Sequence, residues 1–237
     1  MKKYELTAEF IEQWGKKLFR IKALISFGSV EAGELGGYVE KEDNLAQDGD
    51  AWVCDDAWVC DDAWVYGNAR VYGDAEVYGN ARVCDDARVY GNARVYGDAE
   101  VYGNAEVCDD AWVYGNAWVY GNARVYGDAW VYGNAWVYGN AEVCGNAEVC
   151  GNADYLLIGR IGSRFSFTTF FKNKDKGITV SCGRFLGTIA EFRAKVTDTH
   201  GNNKHAKMYN LAADMAELQI LGEEHFDKLN TNKSEPF

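Results

Sequence analysis

The 237-residue chain predicts a mainly β fold: a wound, parallel β rod with a small β cap before it and an α+β domain after it. Three observations lead there. A six-residue phrase (Ala, a variable residue, Val, Tyr or Cys, Gly or Asp, Asn or Asp) recurs seventeen times in unbroken frame from Ala51 to Asn152. Ahead of it, residues 18–25 (LFRIKALI) alternate like a half-buried strand. Behind it the grammar changes to apolar segments followed by a helix-capping signature.

In the cap, Trp14-Gly15-Lys16-Lys17 reads as a turn, and Phe19, Ile21, Ala23 and Ile25 share one face of the strand. Gly33-Glu34-Leu35 and Leu45-Ala46-Gln47 fall in frame with the later hexads but match them poorly. Residues 1–44 therefore read as a β cap and a degenerate first coil, which solenoids need at exposed ends. The rod spans 45–153. In each hexad Ala and Val lie two apart and share one face of a strand, while the variable residue and Tyr or Cys take the other. The Gly-Asn, Gly-Asp or Asp-Asp pair that follows accepts left-handed backbone angles and makes a corner.

Residues 154–237 form the third unit, strands and then two helices. YLLIG, FSFTTFF and GITVSCG read as strands, and Thr188-Ile189-Ala190-Glu191 is a capping box opening a helix that ends near His200-Gly201. A second helix begins at about Lys204, with Met208, Leu211, Met215 and Leu218 on one stripe.

The hexads resemble the left-handed β-helix of the bacterial hexapeptide-repeat superfamily, in which an aliphatic residue precedes a small one by four positions, as Val53 does Ala57 and Val59 does Ala63. That resemblance implies a left-handed, three-sided coil of three hexads, with residues eighteen apart stacked. The charges agree with it. At a spacing of eighteen, Glu76–Arg94, Arg82–Glu100, Arg88–Glu106, Glu106–Arg124 and Arg124–Glu142 are opposite and only Arg70–Arg88 are alike. The run AGELGGYVEKEDNLAQDGDAWVCDDAWV resembles the opening of YdcK-like proteins, a group labelled transferases or polymer-forming proteins without an established reaction. The stretch VSCGRFLGTIAEFRAKVTDTHGNNKHAKMY is similar to a tail of uncharacterised phage and prophage hexapeptide proteins and implies no activity.

Charge and cysteines exclude several functions. The net charge of −12 is concentrated in the repeats, at about −11, with about −3 before them and +2 after. An acidic rod repels phosphate backbones, so direct duplex nucleic-acid binding by the repeats is not expected, although such a rod can mimic nucleic acid and inhibit a host protein. Cys54, Cys60, Cys84, Cys108, Cys144 and Cys150 occupy the Tyr slot, never stack on one another at eighteen, and read as free thiols in a reducing compartment. The Asp-Asp corners at Asp55, Asp85 and Asp109 do not stack either, so no metal site and no cofactor is expected. With no leader and no membrane-spanning stretch, the expected location is the cytosol, that of a bacterial host if the chain is phage-encoded.

Members of the superfamily that transfer acyl groups use a histidine beside an extruded loop. Residues 51–152 contain neither a histidine nor an insertion, so an acyltransferase is not expected, while the C-terminal domain is left open, with Cys182 and His200 or His205 as the candidate nucleophile and base. Two functional readings remain. In the favoured one the chain is a non-enzymatic scaffold that associates laterally with itself, or with a host protein, through an exposed aromatic corner of Trp112, Tyr114, Trp118, Trp130, Tyr132 and Trp136. With both ends capped, end-to-end polymerisation is not expected. In the alternative, Arg160, Arg164, Cys182, Gly183, Arg184 and Thr188 gather at a helix N-terminus and hold an anionic small ligand such as a nucleotide. His200 and His205 are assigned to the inter-helix turn.

Overall fold

The computed structural model describes residues 2–223. Each hexad forms one two-residue strand, from β4 (Trp52–Val53) to β20 (Glu148–Val149), seventeen in all. Every third strand stacks in parallel, which gives a three-sided β-solenoid of about six turns. The register is eighteen throughout: Arg88 faces Glu106, Trp112 faces Trp130, Trp118 faces Trp136. All Ala and Val of the repeat are buried, and they form one continuous core along the rod. Hydrophobic burial of these small aliphatic side chains drives the winding, and the backbone ladder, such as Trp112 N–H to Ala129 O at 2.9 Å, sets its pitch.

Corners need positive φ. Gly73 has φ +72°, and a Cβ there would stand 3.0 Å from the Gly91 nitrogen of the next coil. Four corners nonetheless carry Asp (Asp55, Asp61, Asp85 and Asp109) at φ 57–60°. Each carboxylate offsets its strained backbone by accepting the N–H of the glycine one coil on, as Asp85 Oδ2 does from Gly103 at 3.1 Å and Asp109 Oδ2 from Gly127 at 3.2 Å. The Asp-Asp corners are thus backbone caps.

The N-terminal cap is a hairpin of β1 (Tyr4–Gln13) and β2 (Lys16–Ala23), joined by Trp14 and Gly15, both at positive φ. β2 starts before the expected strand; Leu18, Ile21 and Ala23 are buried, while Phe19 is half-buried and Ile25 lies beyond the strand. β3 (Leu35–Val39) pairs antiparallel with β2 and parallel with the Trp58–Val59 strand, converting hairpin into solenoid. Here the expected frame is two residues off. Val39 faces Val59 and Leu45 faces Val65, a spacing of twenty, and the two extra residues lie in the corner before Ala51. The widened corner exists because Lys3 plugs it: its ammonium donates to the carbonyls of Asp48, Gly49 and Ala51. Burial pushes the Lys3 pKa down to about 8. Trp52 and Trp58 are covered by this cap, and Trp64 is exposed.

The C-terminal unit is a four-stranded antiparallel meander, β21 (Tyr155–Ile161), β22 (Ser166–Lys172), β23 (Ile178–Cys182) and β24 (Phe185–Thr188), then α1 (Ile189–His200) and α2 (Lys204–Leu221). β24 was not expected. The sheet seats on the top coil: Tyr155 and Phe171 join the solenoid core, and Glu142 accepts from Ser181 Oγ at 2.9 Å. A second core gathers Phe170, Val180, Phe192, Tyr209 and Ala213. The Met208, Leu211, Met215, Leu218 stripe faces solvent. α2 instead buries Ala206, Ala212, Ala213 and Ala216, because small side chains let it approach the sheet and α1 closely, while Arg193 of α1 clamps Asp214 and Glu217 at 2.7 and 2.6 Å. Among the described residues no helix is long and apolar enough to cross a membrane.

Candidate functional site

The aromatic corner proposed from the sequence resolves into two separate ladders. Trp112 stacks on Trp130 at 5.4 Å between ring centroids, and Trp118 on Trp136 at 5.1 Å, the rings of each pair nearly parallel. Tyr114 and Tyr132 do not approach Trp118 and Trp136. They stack on each other at 5.0 Å and continue the column of Tyr96, because outward slots of one strand share a face whereas the corner turns the next strand away. The lower tryptophan of each pair leans on a tyrosine of the coil below instead, Trp112 on Tyr96 and Trp118 on Tyr102. Cations close the first pair: the Arg94 guanidinium lies 5.0 Å from Trp112, and Lys174 Nζ lies 4.0 Å from Trp130. The exposed rings of this region are Trp136 (42%), at the top of the other tryptophan ladder, and Tyr138 (47%), at the top of the Tyr102–Tyr120 column.

The cysteines are free, and they lie in the same columns as the tyrosines. Tyr66 hydrogen-bonds to the Cys84 thiol, which with burial pushes the phenol up to about 12. Burial likewise pushes Cys54 up to about 11 and Cys60 to about 12. These are protonated, unreactive thiols at neutral pH. Glu40, Cys60 and Asp61 converge closely enough to resemble a metal cage, but the Lys16 ammonium pairs with both carboxylates and supplies the positive charge itself.

The second candidate site is a cleft of 280 Å³ between β24, α1 and α2, lined by Arg164, Cys182, Arg184, Phe185, Phe192, Lys195, Val196, Thr199, His200 and Tyr209. It brings together four of the six residues singled out from the sequence. Arg164, Cys182 and Arg184 line it, and the hairpin turn at Gly183, φ +64°, lies beneath the Arg164 guanidinium. Arg160 is exposed on β21 and Thr188 is not part of the lining. The helix N-terminus is not an anion site either. Thr188 caps it, and the Glu191 carboxylate accepts from Thr188 N–H and Oγ1 at 2.8 and 2.9 Å, which lowers the Glu191 pKa. The chain's own anion already sits there.

The cleft's charge is one-sided. Arg164, Arg184 and Lys195 line the cleft, and among the described residues no carboxylate does. Lys195 pairs with Asp198 at 3.4 Å and Arg193 nearby has two partners, whereas among the described residues Arg164 and Arg184 form no ion pair. Opposite the cations lie Phe185 and Phe192, packed at 5.6 Å, and Tyr209 stacked on His200 at 5.7 Å. Burial raises the Tyr209 pKa, with the Cys182 thiol beside it adding to the shift, so the phenol is a donor at neutral pH. Cys182 itself is held by Thr168 Oγ1 at 3.2 Å. Phe192, Lys195, Val196 and Thr199 were missed from the sequence and His200 was assigned to the inter-helix turn, although their i, i+3, i+4, i+7, i+8 spacing puts all five on one helical face.

Against known families, the YdcK beta solenoid repeat matches residues 63–79, 87–103 and 117–133, each about one coil of the rod. The chain is a β-solenoid repeat protein. No curated protein matches it. The family match lies wholly within the solenoid and leaves the cleft-bearing unit uncovered.

Proposed function

We propose that the chain is a non-enzymatic binding protein in which the acidic solenoid is a rigid scaffold and the C-terminal cleft holds a small organic anion. The observation that carries this reading is the pair of arginines, Arg164 and Arg184, converging without carboxylate partners on a cleft walled by Phe185, Phe192 and Tyr209. Arginine recognises phosphate and carboxylate bidentately, and the aromatic wall suits the flat part of such a ligand. The 280 Å³ volume fits a molecule of about nucleoside-monophosphate size. Lack of a histidine in residues 51–152 supports binding over acyl transfer, the free thiols support a reducing, cytosolic compartment, and the resemblance of residues 180–209 is what supports a phage or prophage type.

Thermal unfolding in adenosine monophosphate, inorganic phosphate and organic carboxylates tests the reading. A ligand at a hundred times its dissociation constant stabilises by about 2.7 kcal/mol, and Arg164→Ala with Arg184→Ala abolishes the shift. A flat response to all three classes would remove the cleft as a binding site.

A second reading keeps the protein-partner role of the solenoid face, lateral self-association or a host protein, and narrows it to Trp136 and Tyr138, which are the rings most exposed in the ladders. Trp136→Ser with Tyr138→Ser then lowers mass in solution or loses a captured DNA-binding protein. An unchanged mass and an empty capture would end it.

A further inference from the structure

We propose that α2 is a self-association surface on which a second copy of the chain docks antiparallel. Met208, Leu211, Met215 and Leu218 are 40%, 63%, 56% and 46% exposed, while the opposite face of the same helix is spent on the domain's core. Their 3-4-3 spacing is that of a coiled-coil seam. Among the described residues nothing packs over it.

The seam is complementary to its own reverse. About a two-fold axis level with Ala213 along the helix, Met208 meets Leu218 of the second copy and Leu211 meets Met215, so every contact is Met against Leu, and each copy presents the same patch. The ends complete the match. Exposed Lys204 opens the helix and exposed Glu223 follows it, so antiparallel docking sets the Lys204 of one copy beside the Glu223 of the other and opposes the two helix dipoles favourably. Parallel docking would bring Lys204 and Lys207 of both copies together. This excludes that arrangement.

α2 is already folded on its domain, so docking carries no helix-ordering cost. Four side chains per copy fall short of the roughly 20–30 residues a side of stable interfaces, which sets a reversible dimer with a dissociation constant on the order of 10 to 100 µM. The surface is remote in role from the cleft: ligand binding can fail while the dimer stands, and the reverse.

Sedimentation equilibrium of the full chain across this concentration range reads the dimer. Leu211→Glu with Met215→Glu weakens it by about a hundredfold or more and leaves the unfolding temperature unchanged, since both side chains are already in water. Lys204→Glu weakens it severalfold, and adding Glu223→Lys to that variant restores it, an outcome only antiparallel docking gives. A chain monomeric throughout, a dimer indifferent to Leu211→Glu with Met215→Glu, or a dimer that forms only after deletion of residues 224–237 would overturn the proposal.

Discussion

Arginine meets two different fates in this chain. In the solenoid, Arg82, Arg88, Arg94 and Arg124 each lie within 3.6 Å of a glutamate one coil away. In the C-terminal unit, Arg164 and Arg184 face a cleft that no carboxylate of the described residues lines. Translation explains the first case. In a repeat, whatever a side chain offers is answered by its neighbour eighteen residues on, and aromatic rings, corner aspartates and asparagine pairs such as Asn116–Asn134 are satisfied in the same way. An aperiodic domain has no such automatic partner, so a charge left open there stands out as a site.

The largest expected effect tests how dry the repetitive region is. Val107→Asp places an unpaired charge among fully buried valines and costs more than about 4 kcal/mol in urea unfolding followed by tryptophan fluorescence, which reports the rod because all eight tryptophans precede residue 137. A cost below about 2 kcal/mol would mean that water reaches the interior. Alkali comes next. Cys60 and Cys54 ordinarily ionise near 9 and Tyr78 near 10, but in the fold they are held at about 12, 11 and 12. The unfolded chain therefore loses protons first, so the stability these groups contribute is intact below pH 9 and falls steadily between pH 9 and 12. A flat unfolding temperature over that window contradicts the packed Cys and Tyr columns.

Smaller effects sharpen the contrast. Asp85→Ala keeps the left-handed angle and loses the bond to Gly103, at about 2 kcal/mol, whereas Asp85→Gly relieves the strain and costs about half as much. Equal costs would show that the carboxylate is not a cap. Smallest is the arginine comparison itself. Arg94→Ala strands the half-buried Glu76 and costs about 1 kcal/mol, while Arg164→Ala and Arg184→Ala stay within about 0.5 kcal/mol of the parent in calorimetry. Destabilisation by the latter two would mark them as structural.

The rod was legible because each residue's role is stated many times over. Four of the five opposite-charge pairs expected at eighteen form; the fifth fails because Glu142 is drawn off by Ser181 of the seating sheet, and Arg70, whose register partner is Arg88, turns to Ser29 instead. What was illegible depends on single, non-repeated contacts. The longer corner before Ala51 answers to one distant lysine, Lys3. The strand Phe185–Thr188 is four residues long and contains Gly187. The stripe on α2 looks like a core face by hydropathy, but close packing chose the alanines. Of the cleft, the arginines and Cys182 were legible as a cluster. Lys195 and Tyr209 were not, since they reach it only through the helix pair.

Both ends of the ladder hand over to antiparallel pairing, at the hairpin below and the meander above, and every coil from Ala51 on is joined by the same eighteen-residue step. The rod is consequently a ruler whose graduations are interchangeable and whose stops are not. Eighteen residues spliced in at a corner such as Gly97-Asp98 would lift the cleft by one rung, about 4.8 Å, while leaving both stops as they are.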